Sequence, residues 1–148
     1  MLPLIFLFSL KTLIYKSSLI LIVPDNMLKI EETNTSPFVN ISVEDCIFDI
    51  TGVSFANNTD VLFNQVIEYI DKEFSNLDCH LNCNFYLTVF NSITYRYILN
   101  IMAKFLMLNK NGKNIKVTWY YDADDEDNLE NAEDISTLFN IPFELKEV

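Results

Sequence analysis

Residues 80–90, HLNCNFYLTVF, alternate apolar and polar side chains along their whole length, and then the period changes. Leu81, Cys83, Phe85, Leu87 and Val89 share one parity, and Asn82, Asn84, Tyr86 and Thr88 share the other. That pattern is a strand with one face in a core. From Tyr95 onward Ile98, Leu99, Met102, Phe105 and Leu106 recur every three or four positions, as in a helix with one apolar stripe. Only Asn91, Ser92, Ile93 and Thr94 lie between. A strand that runs into a long helix through four residues leaves few folds open, because the helix must cover a sheet that contains the strand.

The rest of the chain supplies that sheet. Leu28–Glu32 reads as a short strand, ended by TNTSP and Pro37. Phe38–Val43 and Cys46–Thr51 read as a hairpin about Glu44-Asp45. Asn57, Asn58 and Thr59 offer N-caps to a helix whose apolar face is Phe63, Val66, Ile67, Ile70 and Phe74. Gly112 stops the helix that follows Thr94, IKVTWYY is a further strand, residues 128–140 a short helix and PFELKEV a last strand. Strands alternating with three helices predict a single α/β domain, a mixed sheet covered by helices.

Residues 1–26 stand apart. They are apolar, yet Lys11 and Lys16 fall mid-segment, each costing about 3 kcal/mol near a bilayer centre. Positive charge does not precede the apolar run, and no small-residue cleavage site follows it, as a signal peptide requires. Met27 then opens MLKIEE. The expectation is an apolar extension over residues 1–26, outside the working protein, and a domain over residues 27–148.

Charge and cysteine usage narrow the function. A net charge of −11 disfavours nucleic acid and anionic membrane surfaces, both of which need clustered Lys and Arg. It suits a basic protein partner. Three cysteines, an odd number, do not make a secreted disulfide framework. Reduced, buried cysteines in a cytoplasmic protein are expected.

Enzyme chemistry finds little purchase. His80 is the single histidine, and two glycines are too few for a phosphate-cradling loop. On a strand Cys79 and Cys83 lie roughly 13 Å apart with His80 on the other face, so the three do not converge on zinc. DADDEDNLENAE imitates a calcium loop in part, but Asp127 stands where the turn needs glycine, and a strand precedes it. No metal and no cofactor are expected, with a metal-binding acidic loop kept as an alternative. At Asn91–Thr94, Ser92 or Thr94 is an N-cap on one reading. On the other, a hydroxyl at a helix N-terminus is a place where a phosphate is tolerated and recognisable.

Four stretches resemble the SiaC-type regulatory phosphoproteins of bacteria: MLKIEETNTSPFVNIS, ITGVSFANN, LTVFNSITYRYIL and the aromatic-then-acidic VTWYYDADDEDNLENAEDI. The resemblance implies a STAS-like fold and no catalysis. It implies a Ser/Thr kinase, a PP2C-type phosphatase and an effector protein, in known systems a diguanylate cyclase bound by the unphosphorylated form. By position it implies Ser92 as phosphoacceptor with Thr94 second, and Asn91 and Arg96 as their surroundings. Ile93 and FANN depart from the family pattern. Tyr120, Asp122, Asp124, Asp125, Glu126 and Asp127 are the expected docking surface, and a constitutive binding module without phosphorylation is the alternative reading.

Overall fold

A computed structural model describes residues 10–16, 19–24 and 26–148. Strands β1 (Leu10–Lys16) and β2 (Leu19–Pro24) pair antiparallel in a sheet of their own. The other sheet has six strands: β3 (Met27–Ile30), β4 (Phe38–Ser42), β5 (Ile47–Ser54), β6 (His80–Phe90), β7 (Asn114–Tyr121) and β8 (Phe143–Glu147). Helices α1 (Thr59–Glu73), α2 (Ser92–Lys110) and α3 (Glu126–Leu138) join β5 to β6, β6 to β7 and β7 to β8. The strands lie in chain order, antiparallel from β3 to β5 and parallel from β5 to β8. With no reversal of strand order, the right-handed rule for parallel crossovers puts all three helices on one face. The mixed sheet under three helices is thus as expected. Of the extension expected over residues 1–26, residues 1–9, 17, 18 and 25 lie outside the described residues.

The helix-side face is built by the inward parity of the strands. Val39, Ile41, Phe48, Ile50, Phe85, Leu87, Val117 and Trp119 are fully buried there. Phe48 makes edge contacts with Phe74 and Phe105, and Phe85 stacks on Trp119 at 5.5 Å between ring centres. Each such side chain contributes about 1.5–3 kcal/mol by leaving water. The opposite parity carries Asp49, Asn82, Asn84 and Thr118, joined by side-chain hydrogen bonds of 2.9 Å.

Two expectations fail here for physical reasons. Val89 shares parity with Leu87 in the sequence, yet it is 55% exposed. Leu87 pairs with Gly52 and Val89 with Val53, so Thr88 is an extra residue and the alternation inverts beyond it. Gly52 stands at this bulge with φ +112°, a conformation that favours glycine. Phe90 then turns inward, edge-on to Trp119. The second failure concerns the cysteines. Cys46 and Cys79 are disulfide-bonded, with Cα atoms 6.4 Å apart, and only Cys83 is free and buried among the described residues. Each bonded cysteine directly precedes its strand, and β5 and β6 are neighbours. Spacing along the chain does not reveal that adjacency.

Candidate functional site

The corner beyond the carboxyl end of β6 is organised by Asn91. Its backbone is extended, its N–H donates to the Ser54 carbonyl at 3.1 Å, and its Oδ1 accepts the Thr94 N–H at 2.9 Å. Asn91 is therefore the N-cap of the 19-residue helix α2, in place of Ser92 or Thr94. A short amide side chain suits the task, because it reaches the orphan N–H two or three residues on.

The two hydroxyls part company. Thr94 is 0% exposed, whereas Ser92, the first helical residue, is exposed. Thr94 Oγ1 donates to the Ser54 carbonyl at 3.0 Å. Its single proton is thereby used, so the 2.7 Å contact with Ser54 Oγ is a bond donated by Ser54. Thr94 is a buried strut between β5 and α2, and the reading of it as a second acceptor is corrected on that ground. Replacing Thr94 by valine keeps its shape but strands the Ser54 hydroxyl. Thr94→Val is expected to lose about 1–2 kcal/mol of stability in urea unfolding, and an unchanged midpoint would refute the strut.

Ser92 stands among mixed neighbours. Phe55 and Val89, 43% and 55% exposed, lie at the same carboxyl ends of β5 and β6. Arg96 is exposed one helical turn after Ser92, the i,i+4 spacing at which side chains on a helix meet. It lines a shallow depression with Asp60, Ile93, Tyr97 and Asn100.

Beyond the adjacent strand β7 comes the acidic segment, and its members divide by task. The Tyr86 hydroxyl donates to Asp122 Oδ1 at 2.6 Å, with the Tyr120 ring 6.3 Å from that of Tyr86. Asp125 is the N-cap of α3, its Oδ1 accepting the Asn128 N–H at 3.0 Å. Glu126 and Asp127 occupy the first turn, where acids complement the helix dipole. Because the chain is helical from Glu126 onward, it does not form the open twelve-residue loop that calcium would need. Tyr120 is half-buried, while Asp124, Glu126 and Asp127 face solvent.

Sequence reasoning missed Ser54 and Asn128, the two buried polar residues that tie the site together. Asn128 Oδ1 accepts the Trp119 Nε1–H at 3.0 Å, and its Nδ2 donates to the Leu87 carbonyl at 3.0 Å. One amide thus joins α3, β7 and β6. Its only mark in the sequence is its place three residues after a capping Asp.

The bond to Asp122 holds the Tyr86 hydroxyl above its ordinary pKa, since ionisation would remove the donor beside a carboxylate. The folded value is raised, so the bond's contribution is present below pH 10 and is lost as pH climbs through the raised value. Asp122→Asn is expected to bring the Tyr86 titration back toward the ordinary tyrosine range in NMR of labelled rings. No movement would remove the pairing.

A family model described as SiaC family regulatory phosphoprotein matches residues 30–148. Among solved structures, apo-SiaC from Pseudomonas aeruginosa has 21% identity and a TM-score of 0.75, the match covering 81% of this chain and 98% of that one. SiaC as it occurs in the crystal structure of the diguanylate cyclase SiaD in complex with its activator SiaC, also from Pseudomonas aeruginosa, has 21% identity and a TM-score of 0.77, over 82% and 99% of the two chains. No curated protein matches the chain.

Proposed function

The chain belongs to the SiaC family of regulatory phosphoproteins, and from that premise we propose that it is a non-enzymatic switch gated by reversible phosphorylation of Ser92. The observation that carries the proposal is the exposure of Ser92 as the first residue of α2, with its cap supplied by Asn91. Among the described residues the hydroxyl makes no side-chain hydrogen bond. A phosphate on it would meet the positive end of the helix dipole, and Arg96 one turn on. The proposal takes residues 27–148 as the working domain and the cytoplasm as its place of action.

The partners follow from the same reading. A Ser/Thr kinase adds the phosphate and a PP2C-type phosphatase removes it. The effector docks on the rim formed by Phe55, Val89 and Ser92, extended by Tyr120, Asp124, Glu126 and Asp127. In the Pseudomonas aeruginosa complex SiaC is the activator of a diguanylate cyclase, and a cyclase of that kind is the effector proposed for this chain. Asp122 and Asp125 support the surface from within, since their carboxylates hold Tyr86 and the α3 N-terminus.

The test is mass spectrometry of the intact chain and its peptides after incubation with the cognate kinase. One phosphate at Ser92 is expected, absent from Ser92→Ala and removed by the phosphatase. An unmodified Ser92 ends the proposal.

A further inference from the structure

We propose that Cys46 and Cys79 form a redox-responsive tether at the amino ends of β5 and β6, closed by exchange with small disulfides such as oxidised glutathione and opened by the corresponding thiols. The pair is joined in the structure with Cα atoms 6.4 Å apart, within the span a disulfide bridges without backbone movement. Both residues are half-buried, so a small thiol can approach. Cys83 is fully buried, and burial together with Asp49 holds its thiol well above the ordinary range, out of exchange.

The backbone supplies the second, independent observation. Cys46 takes φ +57°, a left-handed conformation that L side chains disfavour. It ends the turn between β4 and β5, which is clamped on its other residues. The Tyr69 hydroxyl accepts the Val43 N–H at 3.1 Å, and Ser42 Oγ accepts the Asp45 N–H at 3.1 Å. The link to Cys79 fixes the remaining end. Opening it removes one constraint on that left-handed residue, and a partly exposed link at such a position has the character of a labile rather than an inert disulfide.

The chemistry balances with glutathione as the redox partner. One cysteine thiolate attacks a sulfur of oxidised glutathione and expels a glutathione thiolate, leaving a mixed disulfide. The second cysteine thiolate displaces the other glutathione. The chain loses two protons and two electrons, and one glutathione disulfide becomes two thiols. The closed loop spans β5 and α1, its two cysteines 33 positions apart in the chain. Its closure restricts the unfolded chain and is expected to raise Tm on the order of 10 °C.

The experiment uses the full chain, equilibrated across glutathione mixtures from fully reduced to fully oxidised, quenched in acid, alkylated and mapped by mass spectrometry. Melting is followed in parallel. The expected result is a reversible Cys46–Cys79 link that appears within the series and carries the Tm increase. The Cys46→Ser/Cys79→Ser double variant melts with the reduced parent in every mixture. The tether is overturned if the link never forms, if it persists in the most reducing mixture, or if Tm ignores it. A Tm response retained by the double variant also overturns it. None of these outcomes depends on whether Ser92 is phosphorylated.

Discussion

Chain carrying phosphate on Ser92 is expected to bind its effector on the order of 100-fold more weakly than the unmodified chain, while melting within about 2 °C of it. The two halves of that result come from one geometry. Ser92 is exposed at the first position of α2, so a phosphate displaces no packed atom. Two negative charges at a helix N-terminus are welcome to the fold, and Arg96 is spaced to meet them. A docked partner faces the opposite balance. It would cover Phe55 and Val89, the exposed apolar pair on this rim, and strip water from a dianion beside them. Like-charge contact or stranded charge at an interface costs several kcal/mol, and each 1.4 kcal/mol is a factor of ten. Calorimetry with purified effector measures the affinity, and differential scanning measures Tm. Ser92→Asp, with one charge and no phosphate oxygens, is expected to fall between the two states. Equal affinity for phosphorylated and unmodified chain would make this a constitutive binding module instead.

The strand-to-helix passage from β6 to α2 was legible because burial imposes one period on each and the change of period marks the corner. The identity of the cap was not. Asn91, Ser92 and Thr94 are all capping residue types, and the choice fell to Asn91 because Ser54 fixes both its N–H and the Thr94 hydroxyl. Ser54 lies 40 residues before Thr94, and the pairing exists only through the β5–β6 ladder. The same ladder explains Val89, whose parity inverts at a bulge marked only on the partner strand, by Gly52. The disulfide was hidden likewise, its cysteines becoming neighbours only when two parallel strands align. What periodicity encodes was readable; what depends on which strand lies beside which was not.

Asn128→Leu is expected to destabilise the domain by about 3 kcal/mol, a large share of the roughly 5–15 kcal/mol that holds a domain of this size. The aromatic-then-acidic stretch that looks like a docking motif owes much of its character to this one side chain. Asn128 is 4% exposed and joins the Trp119 indole N–H to the Leu87 carbonyl. Leucine has similar volume but neither donor nor acceptor. It would leave both groups buried and unpaired, each at a cost of about 1–3 kcal/mol. Asn128→Asp discriminates further. It still accepts from Trp119 but cannot donate to Leu87, and it buries a charge without a cation, so it is expected to be at least as damaging near neutral pH and milder in acid. Exposed Glu126→Gln and Asp127→Asn, two residues of the same segment, are expected to stay within about 0.5 kcal/mol of the parent. Urea unfolding of the four variants is expected to place the segment's stability in Asn128 beneath the surface, leaving the exposed carboxylates free for the docking proposed above. If Asn128→Leu unfolds with the parent, the bridge from Trp119 to Leu87 does not hold α3 to the sheet.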